Sequence, residues 1–488
     1  MTLDLAALVP IILLALHIAL AIVAIIAISL RRKPTTAVAW AILIIVLPYL
    51  GAVAFLLVGF SRLPRRRREQ QREVSEAIRT RTPGLDQVSH RDEWPAWLAG
   101  DVLLNESLGA LPMVGGNTAT LIDDYDGAIA AIIADVDTAE RYVHVEFFIL
   151  TLDATTEPFF AALERARSRG VTVRVLSDHL MTLLYPPRRE TLQRLRTMGA
   201  EWHGMLPLRP WRGQWQRPDL RNHRKLVVID GRVGHTGSQN MIQANYGKKK
   251  AIARGLRWHE VMVRLEGPVV RELDAVFVTD WFSETNELLP LDTSPVVLTP
   301  SRDGEVLDAQ IVPSGPSFEN DNTLKLFASL IHQAQRQVSI TSPYFVPDEA
   351  IQLAMITAAT RGLLVELYVG EVGDQFFVHH AQRSYYEQLL RAGVRIYLYE
   401  APTVLHSKHF TIDDDVAVIG SSNMDIRSFS LNMEVSVLVH GASFVDQLRA
   451  IEASYRASSR ELHLAEWSSR PWPQKARDGL ARLTSSLQ

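Results

Sequence analysis

The chain of 488 residues contains no cysteine. This absence excludes a disulfide framework, a thiolate zinc site and a cysteine nucleophile. The chain is not rich in charge either: 22% of its residues are charged and 47% are apolar, which excludes wholesale disorder. Its length predicts about three domains, or two large ones.

Acidic residues are nearly missing from residues 1–68, where eight Lys or Arg stand against one acid and give a charge of +7. Because the whole chain has a net charge of -3, residues 69–488 must carry -10. An acidic body with a basic, apolar head is not the balance of a nucleic-acid binder. We therefore expect no nucleic-acid partner.

Two long uncharged stretches lie in this head, 23 residues at 8–30 and 24 residues at 37–60. Helices of that length cover the hydrocarbon core of a bilayer, and the short basic connection between them predicts a transmembrane hairpin within residues 1–68. Two buried core helices are the alternative. More arginines follow the second stretch than lie in the connection, which predicts a multi-pass protein of the cell membrane with its large domain in the cytoplasm.

The body is built twice. Buried strands are predicted at 141–150 and 336–346, and each is followed by a helix that ends in an Arg-Gly pair before another strand. Alternating strands and helices predict two similar α/β halves. The expected divisions are a linker with connecting helices at 69–115, a first half at 116–300, a second half at 301–465 and a C-terminal tail at 466–488.

Each half then carries the same signature: His-x-Lys, four residues, Asp, six residues, and Gly-Ser-x-Asn. Its members are His223, Lys225, Asp230, Ser238 and Asn240 in the first half, and His406, Lys408, Asp413, Ser421 and Asn423 in the second. One such motif could arise by accident. Two motifs with equal gaps in matching halves indicate a duplicated site.

The residue types of this signature suit a phosphodiester. Lysine supplies a positive charge, histidine can act as a nucleophile or an acid near neutral pH, and the Ser and Asn side chains add neutral donors. Because no carboxylate cluster suggests a metal, we expect neither a metal nor a cofactor. Two half-sites that face each other would place two histidines across one phosphorus, one to form a phosphohistidine and one to protonate the leaving oxygen.

A nucleophilic histidine also needs a partner for its second ring nitrogen. Glu260 and Glu434 lie in strand-like runs 37 and 28 residues after the two histidines, and we expect both to orient them. A glutamate on an exposed strand edge is the alternative. Asp230 and Asp413 belong to the catalytic motif, but for them we favour a structural role in a turn.

The paired motifs resemble the phospholipase D superfamily, and the hairpin together with SPYFVPD at 342–348 resembles its bacterial cardiolipin synthase branch. This resemblance implies phosphatidyl transfer between two phosphatidylglycerol molecules, which yields cardiolipin and glycerol. It makes His223 the nucleophile and His406 the acid–base, a choice that the nearly symmetric sequence does not make. It also implies that the two lysines and the two motif asparagines bind phosphoryl oxygens. Glu260 stands where this branch more usually has Asp.

Three alternatives remain at this point: a membrane-anchored hydrolase of the same superfamily, a nuclease, and, least favoured, a scaffold. The expected partners are phosphatidylglycerol and anionic membrane lipids, and a homo-oligomer stays open. An insertion at 202–221 interleaves tryptophans with arginines, which fits either a lipid interface or an ordered surface loop. The lysine run 248–250 is interpreted as a solvated face, and no chemistry is assigned to His379 and His380.

Overall fold

The computed structural model describes residues 5–29, 34–58, 63, 65–209, 211, 214–296, 306–318 and 321–485. Its helices are α1 Leu5–Ser29, α2 Pro34–Val46, α3 Pro48–Val58, α4 Arg65–Arg81, α5 Leu98–Ser107, α6 Tyr125–Asp137, α7 Glu157–Ser168, α8 His179–Leu184, α9 Arg188–Thr197, α10 Lys249–Ala253, α11 Val269–Thr285, α12 Asn322–Gln333, α13 Glu349–Thr360, α14 Phe376–Ala392, α15 Ile426–Ser430, α16 Ala442–Ala457, α17 Leu464–Ser468 and α18 Trp472–Arg482.

The strands alternate with these helices along the body. They are β1 Val114–Ile122, β2 Tyr142–Phe147, β3 Thr172–Asp178, β4 Glu201–Met205, β5 Leu208–Arg209, β6 Gln214–Trp215, β7 Arg221–Asn222, β8 Lys225–Ile229, β9 Val233–Gly237, β10 Arg257–His259, β11 Met262–Glu266, β12 Leu307–Ser314, β13 Gln337–Thr341, β14 Phe345–Val346, β15 Leu364–Gly370, β16 Arg395–Tyr399, β17 Thr403–Leu405, β18 His409–Ile412, β19 Val416–Gly420, β20 Met424–Asp425, β21 Asn432–His440 and β22 Ser459–Leu462.

The chain divides into two compact units, residues 1–62 with 217–219, and the remainder. In the first unit α1 contacts α2 and α3, and Trp40 meets the ring of Phe55 edge-on at 5.4 Å. The second apolar stretch is divided after Val46, immediately before the helix that Pro48 begins, because proline cannot continue the hydrogen-bond ladder of a preceding turn.

Within the part of the chain that the structure describes, no helix is both long and apolar enough to cross a membrane. The predicted transmembrane hairpin is therefore not confirmed. The basic connection at 31–33 and the first residues after the second stretch lie outside the described residues.

The body confirms the prediction of two similar α/β halves. One continuous sheet runs β4-β3-β2-β8-β9-β11-β1 through the first half and β12-β21-β19-β18-β13-β15-β16-β22 through the second. The two halves meet where β1 pairs antiparallel with β12, so corresponding strands stand in mirrored order on either side of this centre.

The helices of each half end at the glycines that the repeat predicts. Gly170 and Gly362, the glycines of the two Arg-Gly pairs, have φ of +90° and +92°, and Gly393 ends α14 with φ of +97°. Glycine adopts this left-handed conformation without the steric cost that a Cβ brings, so each helix stops there and the next strand starts.

Candidate active site

The two motif histidines lie just before the strands β8 and β18, and not within them. The backbone N–H of His223 donates to the carbonyl of Met433 at 2.8 Å, and that of His406 donates to His259 at 2.8 Å. Both hydrogen bonds join one half to the other. They continue two short parallel strand pairings between the halves, β7 with β21 and β10 with β17. Each histidine is thereby placed beside the residue that precedes the glutamate of the other half.

The side chains follow the same crossed pattern. Nδ1 of His223 lies 2.9 Å from a carboxylate oxygen of Glu434, and Nδ1 of His406 lies 2.7 Å from Glu260. Both glutamates are completely buried, while the histidines keep 8% and 5% of their surface exposed. Each glutamate therefore fixes the Nδ1–H tautomer of the opposite histidine and leaves Nε2 as its reactive nitrogen.

The motif lysines are buried beside their histidines. Nζ of Lys225 donates to the carbonyl of His223 at 2.5 Å, and Nζ of Lys408 donates to that of His406 at 2.5 Å. Nζ of Lys225 also lies 5.4 Å from the centre of the Phe148 ring. The site thus concentrates two ammonium groups where an anionic phosphate would be met by charge.

Burial sets the electrostatics of these groups. It lowers the pKa of His223 to about 4 and that of Lys225 to about 7, although Glu434 opposes both shifts. Burial likewise lowers the pKa of His406, and that of Lys408 to about 8, against the pull of Glu260. At neutral pH, His223 is therefore unprotonated and able to act as a nucleophile.

The glutamates remain charged in spite of their burial. Desolvation opposes ionisation, but the facing histidine and lysine lower the pKa of Glu434 below its ordinary value. His406 and Lys408 do the same for Glu260. Strongly shifted groups of opposite kind in one recess are typical of a reacting site.

The motif aspartates lie in turns and bind backbone. Asp230 accepts the N–H groups of Glu140, Arg141 and Tyr142 at 2.8–2.9 Å, and so fastens the start of β2. Asp413 does the same with residues 335–337 at the start of β13. Both have positive φ, +54° and +50°. This geometry is that of the structural role favoured from the sequence.

The motif glycines permit a close approach of backbones. A Cβ at Gly237 would stand 2.5 Å from the carbonyl oxygen of Val261, and one at Gly420 would stand 2.4 Å from that of Val435. These carbonyls belong to the residues that follow the two glutamates. The Gly-Ser pair therefore lets each motif lie against the glutamate segment of its own half.

The polar residues of the motif tails do not share one environment. Ser238 and Ser421 each exchange hydrogen bonds with the backbone of the residue after the glutamate, Val261 and Val435, at 2.9–3.2 Å, and Ser421 also donates to Glu434 at 2.5 Å. Asn240 donates to the Tyr246 hydroxyl at 2.9 Å and accepts from a backbone N–H. Asn423 is buried at 3% exposure. Their predicted contacts with phosphoryl oxygens remain a prediction.

Three aromatic residues of the site were missed by reasoning from the sequence. Tyr246 donates its hydroxyl to Glu260 at 2.9 Å, Phe148 meets the ring of His223 edge-on at 4.8 Å, and Tyr344 approaches the ring of His406 at 6.0 Å. Tyr344 lies in the SPYFVPD segment, which was a signal for it. No pattern in the sequence pointed to the other two.

Two residues of the insertion bind residues at the end of β3. The Trp202 indole donates to Ser177 at 2.9 Å, and Arg221 binds the buried Asp178 at 3.1 Å. Trp211 is 78% exposed, and Arg212 lies outside the described residues. His380 is paired with Asp478 at 2.8 Å.

In the parts of the chain that the structure describes, no group of three or more His, Asp or Glu could hold a metal ion. The fold and the site define a protein of two fused α/β halves whose histidine–lysine pairs lie close enough together that Lys408 lowers the pKa of both His223 and Lys225.

Comparisons with known proteins identify the family. The model described as cardiolipin synthase, PLD-like domain, matches residues 132–281 and 327–454, and the one described as phospholipase D-nuclease N-terminal matches residues 19–59. Cardiolipin synthase A of Proteus mirabilis is 30% identical over 461 residues, and that of Pectobacterium carotovorum is 30% identical over 468; each match covers 94% of both chains. The chain therefore belongs to the cardiolipin synthase family of phospholipase D-like proteins.

A solved structure shows the same fold. Phosphatidylserine synthase of Haemophilus influenzae superimposes with a TM-score of 0.60 at 17% identity, covering 80% of this chain and 100% of that one. At this identity the likeness carries the fold alone.

Proposed function

We propose that this protein is a cardiolipin synthase that transfers the phosphatidyl group of one phosphatidylglycerol to another, with release of glycerol. One observation carries the proposal: two histidines, each bonded to a buried glutamate of the other half, stand in one site with two buried lysines. That arrangement can supply a nucleophile, an acid–base and the charge for one phosphodiester.

In the first step, Nε2 of His223 attacks the phosphorus of the donor lipid. The bond from phosphorus to the oxygen of the headgroup glycerol breaks, and a protonated His406 gives its proton to that oxygen. Because His406 rests with a lowered pKa, the proton is taken up as the anionic substrate binds, since a nearby negative charge favours the imidazolium. Lys225 and Lys408 meet the charge on the phosphoryl oxygens.

In the second step, neutral His406 removes the proton from a hydroxyl of the acceptor phosphatidylglycerol. The acceptor oxygen attacks the phosphorus, the bond to His223 breaks, and cardiolipin leaves. Glu434 keeps the imidazolium of the phosphohistidine paired while the intermediate waits for its acceptor. Transfer competes with water only when the acceptor hydroxyl is held in place, an advantage that can reach several kcal/mol.

Product analysis tests this reaction. The full chain is reconstituted in vesicles of phosphatidylglycerol alone, and cardiolipin, glycerol and phosphatidic acid are measured. Cardiolipin and glycerol in equal amounts are expected. Phosphatidic acid as the main product would replace the proposal with a phospholipase D-type hydrolase, the second candidate that the same residues could serve.

We also propose that residues 1–68 anchor the enzyme as a two-span hairpin with the body in the cytoplasm. Large apolar side chains of this segment are more than half exposed, as expected for helices that face lipid; they include Val9, Leu14, Val23 and Leu50. Because the chain has no cysteine, Thr35→Cys should react with an impermeant thiol reagent in intact cells, and Ser75→Cys should not. The reverse labelling would refute this orientation.

A further inference from the structure

A small buried cluster connects both catalytic histidines to the surface. Phe148 meets His223 edge-on, and Tyr246 donates to the glutamate that orients His406. The cluster that contains them draws on three further segments, through Met181 and Tyr185 at the end of α8, Ala251 in α10, and Val372 just before α14. The three segments therefore pack against one apolar cluster that lies beside the two catalytic histidines.

Each of these segments also exposes large apolar side chains close in sequence to its cluster member. Leu184 precedes Tyr185 and is 62% exposed, Ile252 follows Ala251 and is 54% exposed, and Phe376 and Phe377 are 62% and 61% exposed. We name these four residues the apolar rim. A concentration of large apolar side chains at a surface marks a site of contact with another body.

An ion pair links two of the rim segments to the His406 side of the site. Lys248, adjacent to α10, bonds Asp374 at 2.9 Å, and Asp374 accepts the hydroxyl of Tyr344 at 2.7 Å. The Tyr344 ring is one of those that approach His406. The lysine run 248–250, interpreted from the sequence as a solvated face, thus begins in a bridge between the two halves.

The charge around the rim favours one occupant. Residues 248–254 carry four cations and no acid, within a body whose net charge is -10. Lys249, Lys250 and Arg254 are exposed alongside Ile252. Aromatic and aliphatic side chains mixed with lysine and arginine are typical of a surface that enters the headgroup layer of an anionic bilayer.

We propose that the apolar rim inserts into the surface of an anionic bilayer, so that the lipid substrate reaches His406 without crossing water. This rests on the proposed function, which makes the substrate a membrane lipid. Phe376 and Phe377 supply the deepest insertion, and the 248–254 cations meet the headgroups.

Depth-dependent quenching tests the insertion independently of turnover. Ile252→Cys and Phe377→Cys are labelled, in separate full-length proteins in phosphatidylglycerol vesicles, with an environment-sensitive thiol dye. Leu103→Cys in α5, 65% exposed in the native chain and outside the cluster, is the matched control. Acyl-chain spin labels should quench the dye at 252 and 377 and spare it at 103, while aqueous iodide should do the opposite. Equal iodide quenching at all three positions would overturn the proposal.

An activity measurement separates this proposal from the reaction itself. The double variant Phe376→Ser/Phe377→Ser should lose about tenfold or more in rate on vesicles, because two large apolar side chains no longer leave water on insertion, and should keep its rate on short-chain phosphatidylglycerol below its micellar concentration. Leu103→Ser should keep both rates. Equal losses on both substrates would count against the rim. A chain that hydrolyses lipid yet shows the expected quenching would overturn the synthase reaction and leave the rim standing.

Discussion

The two halves of the body build the same half-site, yet they hold their glutamates differently. Glu434 receives the hydroxyls of Ser421 at 2.5 Å and Ser428 at 2.9 Å and the amide of Asn432 at 3.4 Å, besides its histidine. Glu260 receives the phenol of Tyr246, which is held in turn by Asn240. The motif serine therefore acts on the carboxylate in both halves, and the first half adds a tyrosine where the second adds Ser428 and Asn432.

This difference separates two histidines that look equivalent in sequence. Several donors to one carboxylate stabilise its charged form and hold it still. A phosphohistidine leaves a positive imidazolium that must stay paired until the acceptor arrives. Glu434 is the better anchor for it, and this supports His223 as the nucleophile and His406 as the acid–base.

Removal of the histidines should have the largest effect. His223→Ala and His406→Ala should each lower kcat about 10⁴-fold or more, because either the covalent step or the proton transfer is lost. Rapid denaturation at alkaline pH during turnover, which spares the acid-labile P–N bond of a phosphohistidine, should trap label from the lipid phosphorus on His223 of the native protein. Label on His406 would exchange the roles of the two halves, and near-native turnover in either variant would contradict a site that uses both.

The glutamates should come next. Glu434→Gln and Glu260→Gln keep the shape but offer the histidine the wrong partner, and each should lower kcat about 10²-fold with little change in KM. Glu434→Gln should also lower the amount of trapped intermediate, whereas Glu260→Gln should affect both steps of proton transfer. A change confined to thermal stability would reduce both residues to structural supports.

The sequence predicted the duplication well, since it rests on local patterns, and the chemistry assigned to the site residues stays a prediction. Repeated spacing indicated two α/β halves, and the assignment of Asp230 and Asp413 to turns agrees with their backbone contacts. Glu260 and Glu434 were also found, because each follows its motif within a strand-like run.

What the sequence could not predict depends on contacts between the halves. The spacing in sequence placed each glutamate after the histidine of its own half. In the structure each glutamate binds the histidine of the other half, because β7 and β10 pair with strands of the opposite half. Tyr246 and Phe148 lie in no motif, and they reach the site only once the sheet has formed. Glu260 also contacts His406, although its side chain is longer than that of the Asp that the branch more usually has at this position. Only the fold brings these two groups within hydrogen-bond distance.

The pH profile should sharpen the comparison of the lysines. Because Lys225 has a pKa of about 7 and Lys408 of about 8, both lose their protons as pH rises above neutrality, and loss of the Lys225 proton alone should lower kcat/KM for the anionic lipid by tens of fold between pH 7 and 9. Lys225→Arg remains charged, so its decline should begin about one unit higher, at the pKa of Lys408, although its maximum should be lower. An unchanged decline would show that Lys225 is not the group that titrates.

The smallest effects should distinguish the two ways of holding a glutamate. Tyr246→Phe removes one hydroxyl from Glu260, and Ser421→Ala removes one from Glu434. A hydrogen bond to a charged group contributes about 1.5–3 kcal/mol, so Tyr246→Phe should lower kcat about tenfold. Ser421→Ala should lower kcat only about threefold, because Ser428 and Asn432 still donate to the same carboxylate.

Tyr142→Phe is the matched control, since its hydroxyl bonds Asp274 and not the site. It should leave kcat unchanged, and the double variant Ser421→Ala/Ser428→Ala should reach the loss seen with Tyr246→Phe. If Ser421→Ala alone cost as much as Tyr246→Phe, the donors of Glu434 would not substitute for one another. The difference between the halves would then lie in which group donates to the carboxylate, and the number of donors would not explain the choice of nucleophile.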